Sequence, residues 1–248
     1  MTKYVYFASD FHLGLNTPLP SIEREKTIVA WLDSILETTE ALYILGDLFD
    51  YWFEYGKVIP KGHVRTLAKI AEFTDRNIPV YLFTGNHDLW MFGYLEEELG
   101  LTMYTQPIQK TIGEKKFFLG HGDGLGPGDH GYKFMKKIFS NKLCQWLFAR
   151  VHPNLGIRIM KHFSKKSRES RSDDLSFRGP DNEWLLQFSE RKLESEFFDY
   201  FIFGHRHLPI DYKLKNGVSR YINTGDWVIY NSYARFDGKE LELLNYVK

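Results

Sequence analysis

The chain has 248 residues, of which 43% are hydrophobic and 26% are charged, a balance that is ordinary for a folded protein with a substantial core. The formal net charge is zero, yet residues 132–178 carry 12 Lys and Arg against 3 Asp and Glu, which indicates an anionic partner for that stretch. A single cysteine, Cys144, excludes an intrachain disulfide and fits a reducing compartment, and the absence of ~18 consecutive apolar residues argues against a membrane-spanning helix.

Short apolar runs alternate with helical patterns in the first third of the chain. Residues 5–8, 41–45 and 79–84 are predicted strands, and residues 21–39 and 61–77 are predicted helices. We expect no signal peptide, because the first strand begins without a preceding hydrophobic region. The alternation is typical of a sheet with helices on its faces, and functional groups collect where the strands of such sheets end.

Strand patterns return in the second half of the chain. Residues 115–123, 198–207 and 219–227 each read as a strand that ends in a polar loop. Residues 232–246 contain Asp237-Gly238 between two alternating runs, which predicts a β-hairpin. Two half-sheets packed face to face would account for both halves of the chain.

A long insertion, at about 129–180, lies between these two groups of strands. Its apolar residues recur at helical spacing with Lys and Arg between them, so it is predicted to be helical. Pro153 and Gly156 are predicted to break it into at least two helices. The polar run 165–174 is predicted to be a mobile loop.

Five short blocks that close strand-like runs carry potential metal ligands. They contain Asp10 and His12 in FASDFHLG, Asp47 in YILGDLFD, Asn86 in YLFTGNHD, His121 in FFLGHGDG, and His205 and His207 in YFIFGHRH. Carboxylate and amide oxygens mixed with imidazole nitrogens suit a pair of divalent ions such as Mn²⁺, Fe²⁺ or Zn²⁺. Two ions that share a carboxylate stabilise the attacking and leaving oxygens of a phosphoryl centre. The pattern therefore predicts a hydrolase of phosphate esters or anhydrides.

Two of the blocks contain paired ligands. Asp10 and His12, and likewise His205 and His207, are two residues apart at a predicted strand end. Side chains at this spacing in an extended chain point to the same side, so each pair is expected to face one cavity. Each block alone is also a common turn or a surface histidine, and only the five together point to a metal centre.

Neighbouring residues are assigned supporting roles. Asp47 is placed to bridge two ions, while Asp50 is expected to hydrogen-bond a ligand histidine. His87 is expected to donate a proton or a hydrogen bond to the phosphate oxygens, and Asp88 to orient its imidazole.

The order D-x-H, G-D-x-x-D, G-N-H-D, G-H and G-H-x-H resembles that of the calcineurin-like metallophosphoesterases over the whole chain. The resemblance implies an α/β fold, a four-layer α/β/β/α sandwich, formed by one domain over 1–248 with a helical lid inserted at about 129–180. It also implies attack by a hydroxide on phosphorus, assisted by His87. The implied ligands are Asp10, His12, Asp47 and His207 for the first metal, and Asp47, Asn86, His121 and His205 for the second.

Within that family the basic, amphipathic insertion resembles the lid of the UDP-2,3-diacylglucosamine diphosphatases of lipid A biosynthesis. This resemblance implies hydrolysis of a lipid-linked nucleotide sugar with two divalent ions, Mn²⁺ first among them. It also implies a cytoplasmic protein held peripherally at an anionic membrane surface, the inner face of the inner membrane. One departure is His87, where many members have Arg. The implied substrate-binding residues are Asp129, Tyr132, Arg158, Lys161, Lys165, Lys166 and Arg168.

Three other functions remain open at this point. A soluble nucleotide or phosphoprotein phosphatase would use the same metals, and a non-catalytic scaffold would resemble the retromer subunit that has this fold. A nuclease could use the basic insertion to follow a phosphate backbone. We expect no nucleic-acid partner, because the basic residues lie among large apolar ones and no stacking platform for bases is evident.

Overall fold

The computed structural model describes residues 2–127, 130–169 and 176–247, apart from the side chains of 130–132 and 165–169. In chain order the strands are β1 (Tyr4–Ala8), β2 (Thr39–Ile44), β3 (Val80–Phe83), β4 (Thr102–Tyr104), β5 (Ile108–Ile112), β6 (Lys115–Leu119), β7 (Tyr200–Phe203), β8 (Pro209–Lys213), β9 (Arg220–Thr224), β10 (Ser232–Phe236) and β11 (Leu241–Asn245). The helices are α1 (Ser21–Ile35), α2 (Val64–Asp75), α3 (Tyr94–Leu99), α4 (His130–Phe139), α5 (Lys142–Phe148), α6 (Pro153–Glu169) and α7 (Trp184–Leu193).

The strands form two mixed sheets, each with parallel strands at its centre. The first has the order β11-β10-β1-β2-β3-β4, in which β1 to β4 are parallel and β10 runs antiparallel to both neighbours. The second has the order β5-β6-β7-β9-β8, in which β6, β7 and β9 are parallel. The predicted hairpin is confirmed, since β10 pairs with β11 around Asp237-Gly238.

Apolar residues on both faces of the sheets build four layers. Between the sheets, Phe7 of β1 stacks on Phe117 of β6 with ring centroids 5.8 Å apart. On the outer face of the first sheet, α1 buries Ile28 and Leu32, which recur on one face of the helix. On the outer face of the second sheet, α7 buries Leu185. The four-layer α/β/β/α prediction is confirmed.

The predicted elements of the first half are confirmed with small shifts at their ends. The helix predicted over 21–39 ends at Ile35 and continues as a 3-10 turn, Leu36–Thr38, before β2. The helix predicted over 61–77 begins at Val64 and ends at Asp75.

The described part of the insertion contains three helices, α4, α5 and α6, which we call the lid helices. Gly156 was wrongly predicted to interrupt them, because it lies inside α6, where a Cβ would stand 2.6 Å from the Tyr55 hydroxyl. Glycine is required there by close packing, while Pro153 occupies the first turn of α6, where proline is favourable. The predicted loop from residue 165 is also wrong in its first part, since α6 runs to Glu169; residues 170–175 lie outside the described residues.

The lid helices pack on the two loops that follow β2 and β3. Tyr51, Phe53 and Trp90 form a buried apolar cluster, and Phe148 of α5 and Ile157 of α6 lie against it. The Trp90 indole Nε1 also donates a hydrogen bond of 2.7 Å to a backbone carbonyl at the end of α4. Within the described residues, none of the helices combines the length and the apolar character needed to cross a bilayer.

Candidate metal centre

All five ligand blocks lie at the carboxyl ends of parallel strands, where the two sheets meet. Backbone hydrogen bonds join the loops: Asp10 N donates to Gly46 O at 3.1 Å, and Gly204 N donates to His121 O at 3.0 Å. Trp227 N, after β9, donates to Asp10 O at 3.1 Å and ties the second sheet to the first. The fold thus brings blocks that are separated by up to about 200 residues into one place, as expected for the carboxyl edge of such sheets.

The first ligand set surrounds the imidazole of His12. Its Nε2 lies 3.7 Å from Asp10 Oδ1, 3.6 Å from Asp47 Oδ2 and 3.3 Å from His207 Nε2. His207 Nε2 is in turn 3.4 Å from Asp10 Oδ1. One ligand atom from each of these four residues lies within 4.8 Å of the others, which is the spacing of atoms around a common ion.

The second ligand set shares Asp47 with the first. Asn86 Oδ1 lies 2.8 Å from His205 Nδ1 and 3.1 Å from His121 Nε2. Asp47 Oδ2 is 3.5 Å from His121 Nε2. The same oxygen therefore faces one histidine of each set, which is the position of a bridging carboxylate.

Two carboxylate oxygens in this centre are buried, and in the described part of the chain they have no hydrogen-bond donor. They are Asp10 Oδ1 and Asp47 Oδ2. Their companion oxygens are bonded: Asp10 Oδ2 accepts from His205 N at 3.0 Å, and Asp47 Oδ1 accepts from His87 N at 2.9 Å. A buried anionic oxygen without a partner is costly, and a cation at this point removes the cost. The residues present therefore fit a pair of divalent metal ions.

The electrostatics of the centre favour positive charge. Burial lowers the pKa of His12, but the nearby carboxylates of Asp10, Asp50 and Asp47 outweigh it and raise the pKa to about 10. Burial likewise opposes protonation of His121, whose pKa is nevertheless raised to about 10 by the neighbouring Asp47 carboxylate. Imidazoles that are drawn toward the cationic form in the metal-free protein mark a site whose negative potential suits metal ions.

Five of the seven ligand residues have a left-handed backbone, with φ of 56° at Asp10, 44° at His12, 51° at Asp47, 68° at His205 and 58° at His207. The expectation that each i, i+2 pair shares an extended backbone is therefore wrong. Non-glycine residues seldom adopt positive φ, and where they do the strain is often found at functional sites. Here it turns both members of each pair toward the same cavity.

A glycine before one ligand allows two ligands to approach each other. Gly46 has a φ of 89°, and a Cβ at this position would stand 2.6 Å from Nδ1 of His121. Any side chain here would displace His121 from Asp47. Gly46 is thus required by close approach as well as by its left-handed backbone.

Asp226 is not one of the seven predicted ligand residues, but it contacts one of them, His207. It is 1% exposed, and its Oδ2 lies 3.2 Å from Nδ1 of His207. Its Oδ1 accepts from the backbone N–H groups of Ile229 at 2.9 Å and Tyr230 at 3.1 Å. Sequence reasoning missed Asp226, although Gly225-Asp226 after a strand repeats the signal that identified Asp47. Such a partner fixes which nitrogen of a ligand histidine faces the metal.

Asp50 and His87 meet a residue of the lid. Asp50 Oδ1 is 3.6 Å from Nδ1 of His12, which is longer than the predicted hydrogen bond. The hydroxyl of Ser164, on α6, lies 3.0 Å from Asp50 Oδ1 and 3.0 Å from His87 Nδ1. Ser164 carried no sequence signal, because a serine in an amphipathic helix resembles any other polar residue.

Asp88 has a different place from the one predicted. Its carboxylate accepts from Gly85 N at 2.7 Å and from Phe49 N at 3.2 Å. The imidazole of His87 instead lies beside Asp50 and Ser164, so the expectation that Asp88 orients this ring is corrected. Asp88 instead holds together the backbones of two ligand loops. Burial and the nearby Asp47 raise its pKa to about 7.

Six of the seven predicted substrate-binding residues lie on the lid helices α4 and α6. Arg158 and Lys161 are exposed on α6, in the two turns that precede Ser164. Asp129 lies outside the described residues. For the other four predicted residues the structure describes the backbone alone. They are Tyr132 on α4, and Lys165, Lys166 and Arg168 on α6.

Comparison with known proteins places this architecture in a family. The model of the calcineurin-like phosphoesterase family matches residues 3–209. A Porphyromonas gingivalis protein named UDP-2,3-diacylglucosamine hydrolase is 37% identical over 98% of this chain and 97% of its own length. A protein of the same name from Shewanella halifaxensis is 26% identical over 96% of both chains. The solved structure of an archaeal phosphodiesterase aligns over 98% of this chain and 99% of its own, with a TM-score of 0.47 and 15% identity.

The family match covers the strands that carry all five ligand blocks, and the nearly full-length relatives cover the lid helices as well. These observations agree with the two ligand sets that meet at Asp47. The chain belongs to the calcineurin-like phosphoesterase family.

Proposed function

We propose that this protein hydrolyses the pyrophosphate bond of UDP-2,3-diacylglucosamine, giving UMP and 2,3-diacylglucosamine 1-phosphate. The observation that carries the chemistry is the position of Asp47 Oδ2 between two ligand sets, an arrangement suited to phosphoryl transfer to water. The substrate is supported by the names of the two relatives, which match this chain over nearly their whole length.

The seven proposed ligands would hold two divalent ions, and Mn²⁺ is our first choice because the set combines carboxylate and amide oxygens with imidazoles. When bound, such ions lower the pKa of water to ~7 and stabilise charge on phosphoryl oxygens. The imidazole of His87 stands 4.8 Å from that of His12, measured between ring centroids. We assign it the role of donating a hydrogen bond to a phosphoryl oxygen at the edge of the centre.

In this proposal the lid supplies apolar contacts to the acyl chains and cationic contacts to the diphosphate. We propose that residues 1–248 form one metallophosphoesterase domain, with the lid at about 129–180 covering the acyl chains. The exposed apolar side chains of Phe134, Ile159 and Phe163 on the lid helices support this proposal. The residues we assign to the diphosphate and the sugar are Asp129, Tyr132, Arg158, Lys161, Lys165, Lys166 and Arg168.

The outer side of the lid supports peripheral binding to an anionic membrane. Leu143, Trp146 and Leu147 of α5 are 64%, 53% and 53% exposed, and the guanidinium of Arg150 lies 4.5 Å from the Trp146 ring centre. Exposed apolar side chains beside basic ones are typical of helices that lie in a membrane interface. We propose that this surface holds the protein at the inner face of the inner membrane, in the cytoplasm. Binding to phosphatidylglycerol vesicles, weakened by Trp146→Glu, is the expected result; no vesicle binding would refute this part.

The reaction is tested with purified protein and Mn²⁺, using UDP-2,3-diacylglucosamine, a non-acylated UDP-sugar and a chromogenic phosphodiester. We expect a clear preference for the acylated substrate, release of UMP, and loss of turnover in Asp47→Ala. Faster cleavage of soluble nucleotides would support a soluble phosphatase instead. Hydrolysis of single- or double-stranded DNA would favour a nuclease, and the absence of both metal binding and hydrolysis would favour a scaffold.

A further inference from the structure

Within the described residues, Ser164 of the lid brings a polar side chain to the edge of the metal centre. Ser164 is 8% exposed and lies on the face of α6 that also carries Ile157 and Met160, at positions i, i+3 and i+7. Those two apolar residues pack on the cluster beneath the lid. The face of α6 that packs on the cluster therefore also carries the Ser164 hydroxyl, next to His87 and Asp50.

Ser164 forms hydrogen bonds with residues that are distant in sequence. Its hydroxyl lies 3.0 Å from Oδ1 of Asp50, 114 residues away, and 3.0 Å from Nδ1 of His87, 77 residues away. A carboxylate can only accept, so the serine O–H donates to Asp50. The serine oxygen is then left to accept from His87 Nδ1–H.

These hydrogen bonds fix the orientation of the His87 imidazole. Nδ1 of His87 also lies 3.3 Å from the backbone O of Asp50, a second acceptor on the same side. With Nδ1 turned toward Asp50 and Ser164, Nε2 is at the opposite edge of the ring. A rotation of the ring would break the contact with Ser164 on the lid and the contact with Asp50 on the β2 loop.

We infer that Ser164 is a positioning residue for His87, so that docking of the lid sets the orientation of the imidazole next to the metal centre. For its effect on turnover this inference rests on the proposed role of His87 in hydrolysis. It makes the lid part of the catalytic geometry as well as a cover for the substrate. Relatives with Arg in place of His87 would need a different arrangement at this point.

A double-mutant cycle on the chromogenic phosphodiester, at saturating Mn²⁺, tests the inference. We expect Ser164→Ala to lower kcat roughly three- to tenfold, the range for loss of one hydrogen bond. In a His87→Ala background, Ser164→Ala should have almost no further effect, because its action passes through the imidazole. Ser140→Ala, an exposed serine at the end of α4, is the matched control and should leave kcat unchanged.

Ser164→Cys separates hydrogen bonding from packing. Cysteine fills the same space but is a weak hydrogen-bonding group, so we expect a loss of kcat close to that of Ser164→Ala. Normal kcat in Ser164→Cys, or equal losses from Ser164→Ala with and without His87, would overturn the inference. The small diester makes this test independent of the lipid substrate. If the protein cleaves the diester but not UDP-2,3-diacylglucosamine, the proposed substrate is refuted, but the double-mutant cycle can still be measured on the diester.

Discussion

Asp226 shows how a single residue outside the ligand set can control a ligand. Its Oδ2 faces Nδ1 of His207, so the histidine presents Nε2 to Asp10. We predict that Asp226→Asn weakens metal binding roughly 10- to 100-fold, the usual cost of losing such a partner. The fold should be preserved, because the amide oxygen can still accept from Ile229 N and Tyr230 N.

Calorimetric titration of the metal-free protein with Mn²⁺ measures this effect. Asp33→Asn, at an exposed position on α1, is the control and should bind as the unmodified protein does. Unchanged affinity in Asp226→Asn would show that His207 is held by other groups.

The protonation of the ligand histidines gives the metal-free protein a defined pH dependence. His12 and His121 have pKa values of about 10 in the folded state against an ordinary value of 6.5, so folding retains protons that the unfolded chain loses. Their contribution to stability is complete below pH 6.5 and is lost as the pH rises through about 10. We therefore predict that the free energy of unfolding falls between these limits.

Urea unfolding in the presence of a chelator, at several pH values across this window, tests the prediction. Added Mn²⁺ should reduce the decline, since the ions replace the protons and bind better as the ligands lose them. A constant or rising unfolding free energy in the metal-free protein would contradict it.

At the scale of elements, the ends of strands were the predictable part of the site. Asp10, Asp47 and Asn86 follow β1, β2 and β3, and the parallel order of these strands brings their ends together. Periodicity in the sequence is sufficient to find strands, and short motifs are sufficient to find the candidate ligands that the fold brings together. The family resemblance then supplied the four layers.

The parts that could not be predicted depend on contacts distant in sequence. His12 and Asp47 have a left-handed φ, which Asp and His adopt more often than most residues, but the sequence does not indicate which of them will do so. Ser164 and Gly156 of α6 have their roles only because α6 packs on Tyr55 and next to His87. Helical periodicity predicts a helix, but it does not indicate the surface on which that helix lies.

Docking of the lid depends on Trp90. This indole is 4% exposed, donates a hydrogen bond to the end of α4, and contacts Phe148 with ring centroids 4.6 Å apart. Trp90→Ala removes the apolar surface and the hydrogen bond at once, a change that costs ~3–5 kcal/mol in a packed core. We predict that it releases the lid and reduces cleavage of UDP-2,3-diacylglucosamine more than cleavage of the chromogenic diester.

Steady-state rates on both substrates measure the effect of Trp90→Ala. Phe197→Ala removes an aromatic ring that is 52% exposed and remote from the lid helices in sequence, and it should alter neither rate. Equal losses on the two substrates in Trp90→Ala would mean that the indole supports the metal centre rather than the lid.

At the scale of the whole molecule, the metal centre joins the two sheets. Asp47 and Asn86 come from loops of the first sheet, while His121 and His205 come from loops of the second. The same ions that would activate water would therefore hold the two halves of the sandwich together. Two unpartnered carboxylate oxygens, on Asp10 and Asp47, lie at this junction in the described residues.

This arrangement predicts that metal binding stabilises the entire fold. An ion present at ~1,000 times its Kd adds about 4 kcal/mol to the free energy of unfolding. For a chain of this size that corresponds to a rise in Tm of roughly 8–16 °C. We expect calorimetric scans with Mn²⁺ and with EDTA to differ by this amount. In Asp47→Ala, which lacks the shared ligand, the difference should largely vanish. Identical Tm values for the unmodified protein in Mn²⁺ and EDTA would be incompatible with a centre that links the two sheets, because ligands drawn from both sheets cannot be bound without opposing their separation.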